Sequence, residues 1–178
     1  DGARDEGVTG KCLVMVTPDA ERTMNTYLGI TSDLHEKHID EAALQQSEYV
    51  YIEGYLVTSE TSRAAAIRVR ELARQHGVKV AMTFSDPAMV QFFKDGLQEM
   101  LGTGVDLLFC NEQEAMLMAG SDNLDDAIAA LKSIARTFAI TLGSQGAIAF
   151  DGETLHEIAP HQIKAVDSNG AGDMFAGA

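Results

Sequence analysis

Short apolar runs alternate with longer amphipathic stretches along most of the chain, and that alternation predicts its elements. Lys11 to Thr17 (KCLVMVT) reads as a strand, and MNTYLGI is a second candidate after the polar PDAERT connection. Tyr49 to Ile52 (YVYI) is a short apolar run of the kind that makes a strand buried on both faces. Glu60 to His76 places Ala65, Val69, Leu72 and Ala73 on one helical face and meets Gly77 as its stop signal. Val78 to Phe84 (VKVAMTF) is a strand, and Pro87 opens a helix that runs to about Leu101. Val105 to Cys110 (VDLLFC) is a strand again, followed by a helix from NEQEAMLMAG.

Asp125 to Arg136 gives another amphipathic helix, and Phe138 to Leu142 (FAITL) another buried strand. The pattern changes there. GAIAF-DG-ETLHEI reads as a hairpin with Asp151-Gly152 as a two-residue turn, and IKAVD as a last strand before a glycine-rich turn. Strand and helix in alternation mean βαβ units, hence an α/β fold with a largely parallel sheet and helices on both faces. Internal repeats, disordered linkers and low-complexity segments are missing from the pattern.

Composition narrows the partners. The 178 residues carry 46% hydrophobic and 22% charged positions, enough for one domain with a real core. Thirteen basic residues against 27 acidic ones leave a net charge of -14. So acidic a chain repels phosphate backbones, which argues against nucleic acid as a partner. An anionic ligand must then be held by backbone amides, by one or two placed arginines, or through a divalent cation. Cys12 and Cys110 both lie in apolar runs and are expected to be buried thiols of a reducing compartment, the cytoplasm. No apolar stretch has the length of a membrane-spanning helix, so no membrane partner is expected.

The last residues, AVDSNGAGDMFAGA, hold the most specific chemistry. A strand enters, Gly170 and Gly172 free the turn from side-chain constraints, and a helix starts near Asp173. The first amides of a helix point outward with partial positive charge, a ready anion site. The bland reading is a tight turn in which Asp173 complements the helix dipole. Against it stands the pairing of an anion hole with a carboxylate in one short turn. Phosphoryl transfer to a hydroxyl requires both, one to hold charge and one to take the proton.

Other signals are weaker. TLGSQG, with Thr141, Gly143 and Gly146, follows a buried strand and suits either a nucleotide border or a plain turn. Neither glycine stretch fits GxGxxG, and no GxxxxGK[ST] occurs, which disfavours the Rossmann and Walker arrangements. Asn111 and Glu114 of NEQE resemble a capping box, and they also stand at a strand end, where open α/β sheets bind ligands. Arg22 reads alone as a solvated charge, although an acidic protein handling phosphate needs such a donor. His35 and His38 read as a solvated pair, and His156 and His161 flank the hairpin without a specific signal.

With DSNGAGDMF, NEQE and TLGSQG in this order, the chain resembles the ribokinase-like (PfkB) sugar and nucleoside kinases. Ser168, where the family signature has Thr, is the one departure in the first motif. TGKC, ERTM, YIEGYLVT, FSDPAMVQFFKDGL, VDLLFCNEQEA and Asn169 are most similar to the adenosine-kinase branch of that family. The resemblance implies a ribokinase-like three-layer α/β/α fold with a mostly parallel central sheet. One kinase domain would span residues 1–178, with about 9–31 contributing to a small β lid. The GGxxxN-type motif and the sugar-holding aspartates of the family have no match, so the chain is expected to be an interior piece of such a kinase, incomplete at both ends.

The resemblance further implies an ATP- and Mg²⁺-dependent transfer of the γ-phosphoryl group to a primary hydroxyl of a nucleoside or sugar, adenosine foremost. Asp173 would be the base. Gly170, Ala171, Gly172 and the Asp173 amide would form the anion hole, and Arg22 would reach in from the lid. Thr141, Gly143, Gly146 and Asn169 would border ATP, while Asn111 and Glu114 would organise Mg²⁺ and phosphates through water. Some relatives add a monovalent cation such as K⁺, and the lid often pairs two copies into a homodimer. A ribokinase or fructokinase is the runner-up within the class. A non-catalytic binder is the rival outside it, and such a binder has no use for a base beside an anion hole.

Overall fold

The computed structural model describes residues 6–18, 22–164 and 166–178. The chain divides into two compact units, Asp1–Leu34 with His161–Ala178, and His35–Pro160. Within the first, β1 (Lys11–Val16) and β2 (Arg22–Tyr27) form an antiparallel ribbon in which Lys11 opposes Tyr27 and Val16 opposes Arg22. Every residue of both strands is exposed, Cys12 included, so the expected burial of that thiol is not found. A two-stranded ribbon has no second layer of its own to cover either face, which is the physical reason. Ile163, Lys164, Val166 and Asp167 form no strand, because no ladder partner faces them among the described residues, and Ala165 lies outside those residues.

The second unit carries the sheet, in the order β3 (Tyr49–Glu53), β4 (Lys79–Thr83), β5 (Val105–Asn111), β6 (Ala135–Thr141), β7 (Ala147–Phe150), β8 (Leu155–Ile158). The first four strands run parallel and the last two are antiparallel. Helix α1 (Glu41–Gln45) precedes β3. Helices α2 (Glu60–His76), α3 (Pro87–Leu101), α4 (Glu112–Ala119) and α5 (Leu124–Ile134) make the crossovers. The strands advance in one direction, so right-handed crossovers bring these helices to one face of the sheet. Ile52, Val80, Met82, Leu108, Cys110, Phe138 and Ile140 point into that layer and are buried. The described residues thus supply the helical layer of one face.

Local chemistry sets the helix limits. Gly77 ends α2 at φ 70°, a left-handed position that glycine enters without strain. Pro87 opens α3, and Asp86 caps it by accepting a hydrogen bond from the Ala88 amide. Asn123 caps α5 by accepting from Asp125 and Asp126.

Three further expectations need correction. First, β3 is an edge strand of the described sheet, with Tyr49 41% and Tyr51 45% exposed, because it has one neighbour and one covered face. Second, Ala135 and Arg136 belong to β6, since the parallel ladder begins at Val105 opposite Ala135 and draws the chain out of the helix. Third, the hairpin closes on four residues, with Phe150 opposite Leu155. The Asp151 carboxylate accepts from the Glu153 and Thr154 amides and meets the His156 ring at 2.8 Å, and this side chain organises the wider turn. Those amide bonds first, and His156 with them, hold the Asp151 carboxyl well below the usual carboxylate range.

Candidate active site

The C-terminal ends of β3 to β6 form one polar rim. Asn111, the last residue of β5, stands opposite Thr141, the last residue of β6. The structure therefore brings two of the sequence-predicted ligand residues side by side. Asn111 also caps α4 through a reciprocal box: its Oδ1 accepts from the Glu114 amide at 2.8 Å, and Glu114 Oε2 accepts from the Asn111 amide at 2.9 Å. A third bond runs from Asn111 Nδ2 to Glu114 Oε1 at 3.0 Å.

Glu114 is only 4% exposed, and burial pushes its carboxyl up. The Asn111 amide opposes that rise, the charge of Asp86 adds to it, and the result is about 7 against an ordinary 4.5. Cys110, one residue before Asn111, is buried as expected, and burial raises its thiol well above the ordinary value. It is an inert core thiol.

These residues fit a hydrated divalent cation. Both Glu114 oxygens are already engaged by Asn111, yet each keeps a lone pair that can accept from a metal-bound water. Asp86 adds a second carboxylate nearby. Among the described residues no group of three His, Cys, Asp or Glu could hold a metal directly. Mg²⁺ keeps most of its waters, so an outer-sphere arrangement suits this donor set.

The TLGSQG loop follows β6. Leu142 donates to the Gly146 carbonyl at 2.8 Å and Gly143–Gln145 make one turn of 3₁₀ helix. The two glycines differ. Gly143, at φ 57°, has open space where a Cβ would stand. Gly146, at φ 100°, lies against the Ile158 carbonyl oxygen, which a Cβ would strike. Gly143 has room for a ligand, whereas Gly146 is a packing glycine.

In the other unit, α6 (Ala171–Gly177) follows Gly170, which adopts φ 74° and ψ 4°. The Met174 amide donates to Gly170 O at 2.9 Å and closes the first turn, and Ala171 donates to Ser168 O at 3.2 Å. Asp173 is exposed in that turn, and among the described residues nothing outside the helix's own backbone and the neighbouring residues stands within 4 Å of where a Gly172 Cβ would be. Asn169 donates its amide to the Asp167 carboxylate at 2.8 Å. Arg22 is exposed at the start of β2.

Three rim residues carried no motif signal: Glu53, Ser85 and Asp86. Glu53 ends β3, and Ser85 and Asp86 follow the end of β4, a place in the sheet that marks them beyond the resemblance carried by YIEGYLVT and FSDPAM. No helix among the described residues is long and apolar enough to cross a membrane.

The family model described as pfkB family carbohydrate kinase matches residues 3–178. An adenosine kinase of Saccharomyces cerevisiae is 30% identical over 186 residues, covering 95% of this chain and 53% of the relative. A ribokinase of Staphylococcus aureus is 26% identical over 181 residues, covering 97% of this chain and 56% of the relative. The crystal structure of an adenosine kinase from Sinorhizobium meliloti superposes with a TM-score of 0.89 at 32% identity, over 94% of this chain and 52% of that one. The fold is thus ribokinase-like, and the chain spans about half the length of the curated relatives it matches.

Proposed function

We propose, because the chain belongs to the pfkB family of carbohydrate kinases, that the protein containing it transfers the γ-phosphoryl group of ATP to a primary hydroxyl of a nucleoside or sugar. The observation that carries this reading is the turn at Gly170. Its left-handed backbone opens α6 so that the amides of Ala171, Gly172 and Asp173 form a first turn, with the Asp173 carboxylate exposed beside them. The amides stabilise charge on the migrating phosphoryl group, and Asp173 accepts the proton of the attacking hydroxyl. A weak base is sufficient, since in a loose transition state the nucleophile loses its proton late.

In the same reading Thr141 and Gly143 border the nucleotide, Asn169 contacts it, and Gly146 shapes the loop. Asn111 and Glu114 orient waters around Mg²⁺, which supplies charge neutralisation at the phosphates when bound. Arg22 adds a cation from the β1–β2 ribbon, which acts as a lid over about residues 9–31 and offers exposed Leu13, Val14 and Met15 for pairing with a second copy. The free thiols Cys12 and Cys110 fit a reducing compartment, the cytoplasm.

Adenosine is the acceptor favoured here, supported by the two adenosine kinases among the relatives at 30% and 32% identity. A free sugar is the second reading, favoured by the ribokinase relative at 26%. The full-length protein assayed with adenosine, inosine, ribose and fructose separates them, and turnover of a free sugar without adenosine turnover overturns the adenosine reading. Asp173→Asn in that protein tests the chemistry. Turnover is expected to fall by at least about 10³-fold with acceptor binding kept, and near-normal rates would remove Asp173 from the mechanism.

A further inference from the structure

Ser85 is the one non-glycine residue with positive φ among the described residues, at 71°. Serine enters this region only under strain, whereas glycine does so freely. Its backbone and hydroxyl are fully engaged. The Ser85 amide donates to Thr83 Oγ1 at 3.1 Å, and its hydroxyl donates to Glu53 Oε2 at 3.1 Å. The Tyr55 amide donates to the same hydroxyl at 3.3 Å, and the Tyr55 hydroxyl donates to Ser85 O at 3.3 Å. At the same point the two strand ends touch backbone to backbone. A Cβ on Gly54 would strike the Phe84 carbonyl oxygen and stand 2.8 Å from Thr83 O.

A glycine at position 85 would satisfy the backbone without strain, but it could not supply the hydroxyl. That hydroxyl ties the end of β3 to the loop after β4 and orients the half-buried Glu53 carboxylate through its Oε2. Strain retained at a ligand-binding rim points to function. Which part of the reaction is served follows from strand order, and this step rests on the reading of Thr141 and Gly143 given above. The nucleotide loop is at the end of β6 and the phosphate-facing pair at the end of β5, so the rim continues outward to β4 and then β3. In-line transfer puts the acceptor on the far side of the moving phosphoryl group from the nucleotide. Along the rim of the sheet, Ser85 and Glu53 lie beyond the Asn111–Glu114 pair as seen from the Thr141 loop.

We propose that Ser85 is a positioning residue for the acceptor: its strained hydroxyl holds the Glu53 carboxylate and the β3 end in the arrangement that receives a hydroxyl-rich substrate.

The test uses the full-length protein with its best acceptor from the panel above, comparing wild type with Ser85→Gly, Ser85→Asn and Glu53→Gln. Ser85→Gly relieves the strain but gives up the hydroxyl's two hydrogen bonds, so the two effects offset and its melting temperature is expected to stay close to that of wild type. It is expected to raise the acceptor KM about tenfold, as loss of a hydrogen bond to a charged group predicts, with the KM for MgATP unchanged. Glu53→Gln follows the same pattern. Ser85→Asn, which tolerates the left-handed backbone and donates through its amide, is expected to restore most of the acceptor KM. An unchanged acceptor KM in Ser85→Gly, or equal rises in both KM values, overturns this inference while leaving the kinase reading intact. A wild-type protein that phosphorylates none of the acceptors overturns both.

Discussion

Asn111 binds both carboxylate oxygens of Glu114, one through its backbone amide and one through its side-chain amide, while accepting the Glu114 amide in return. The partner that completes this cap, Glu114, is also a buried acid beside Asp86, so local folding and electrostatics are joined at the end of β5.

A pH dependence follows. The native carboxyl of Glu114 titrates at about 7 because burial outweighs the Asn111 bond, against an ordinary 4.5. Between these values the native state holds the proton and the unfolded chain has lost it. Stability therefore falls as pH rises through that window, by on the order of 3 kcal/mol from this one group. Urea unfolding measured from pH 4 to pH 8 is expected to show the decline, and Glu114→Gln to flatten it. Equal slopes in the two proteins would contradict a raised pKa at this site.

Arg70 is a second buried charge, and its role is structural. It is 7% exposed and donates Nη1 to the Glu99 and Met100 carbonyls at 2.7 and 2.8 Å, which closes the C-terminal end of α3. Burial, and then Arg74, pull its pKa down, yet a guanidinium stays charged. Arg70→Met keeps much of the volume and leaves both carbonyls unpaired. The expected loss is about 2–4 kcal/mol of unfolding free energy, with both KM values unchanged. A loss below about 0.5 kcal/mol would mean that water replaces the guanidinium without penalty.

Arg22 tests the lid reading. It is exposed at the first position of β2, opposite Val16, so its removal takes nothing from a core. In the full-length protein Arg22→Ala is expected to lower kcat about 10²- to 10³-fold, as loss of a transition-state arginine does, without a change in melting temperature. An unaltered kcat would return Arg22 to the status of a solvated charge.

Local signals made much of the fold legible. Glu60–His76 and Pro87–Leu101 are bounded by Gly77 and Pro87, and each helix announces its own face and limits. The cap at Asn111 was readable because Glu114 follows it three positions later. Burial was less legible, since Tyr49, Tyr51 and Cys12 take theirs from neighbouring elements and not from their own runs. The clamp at Ser85 joins residues 32 positions apart, Glu53 to Ser85, and a serine in FSDP carries no mark of a left-handed backbone. In TLGSQG both glycines look alike, and it is the backbone of Ile158 and Pro160 packed against Gly146 that distinguishes them.

That difference yields the last prediction. Gly143→Ala puts a methyl group into open space at φ 57°, so it meets no neighbour and costs about 1 kcal/mol of backbone strain. Gly146→Ala faces the Ile158 oxygen and stands 3.1 Å from the Pro160 nitrogen at φ 100°, so strain and overlap combine to roughly 2–4 kcal/mol. If the nucleotide passes over Gly143, the methyl group there stands in its path while the fold stays nearly intact. Gly143→Ala should then raise the KM for MgATP about tenfold with a small loss of stability, and Gly146→Ala should lower the melting temperature with a smaller effect on that KM. The two variants, purified side by side and measured by thermal melting and by initial rates, invert each other's pattern only if one glycine serves the ligand and the other the hairpin. A Gly143→Ala enzyme with an unchanged KM for MgATP would mean that the nucleotide does not approach this loop.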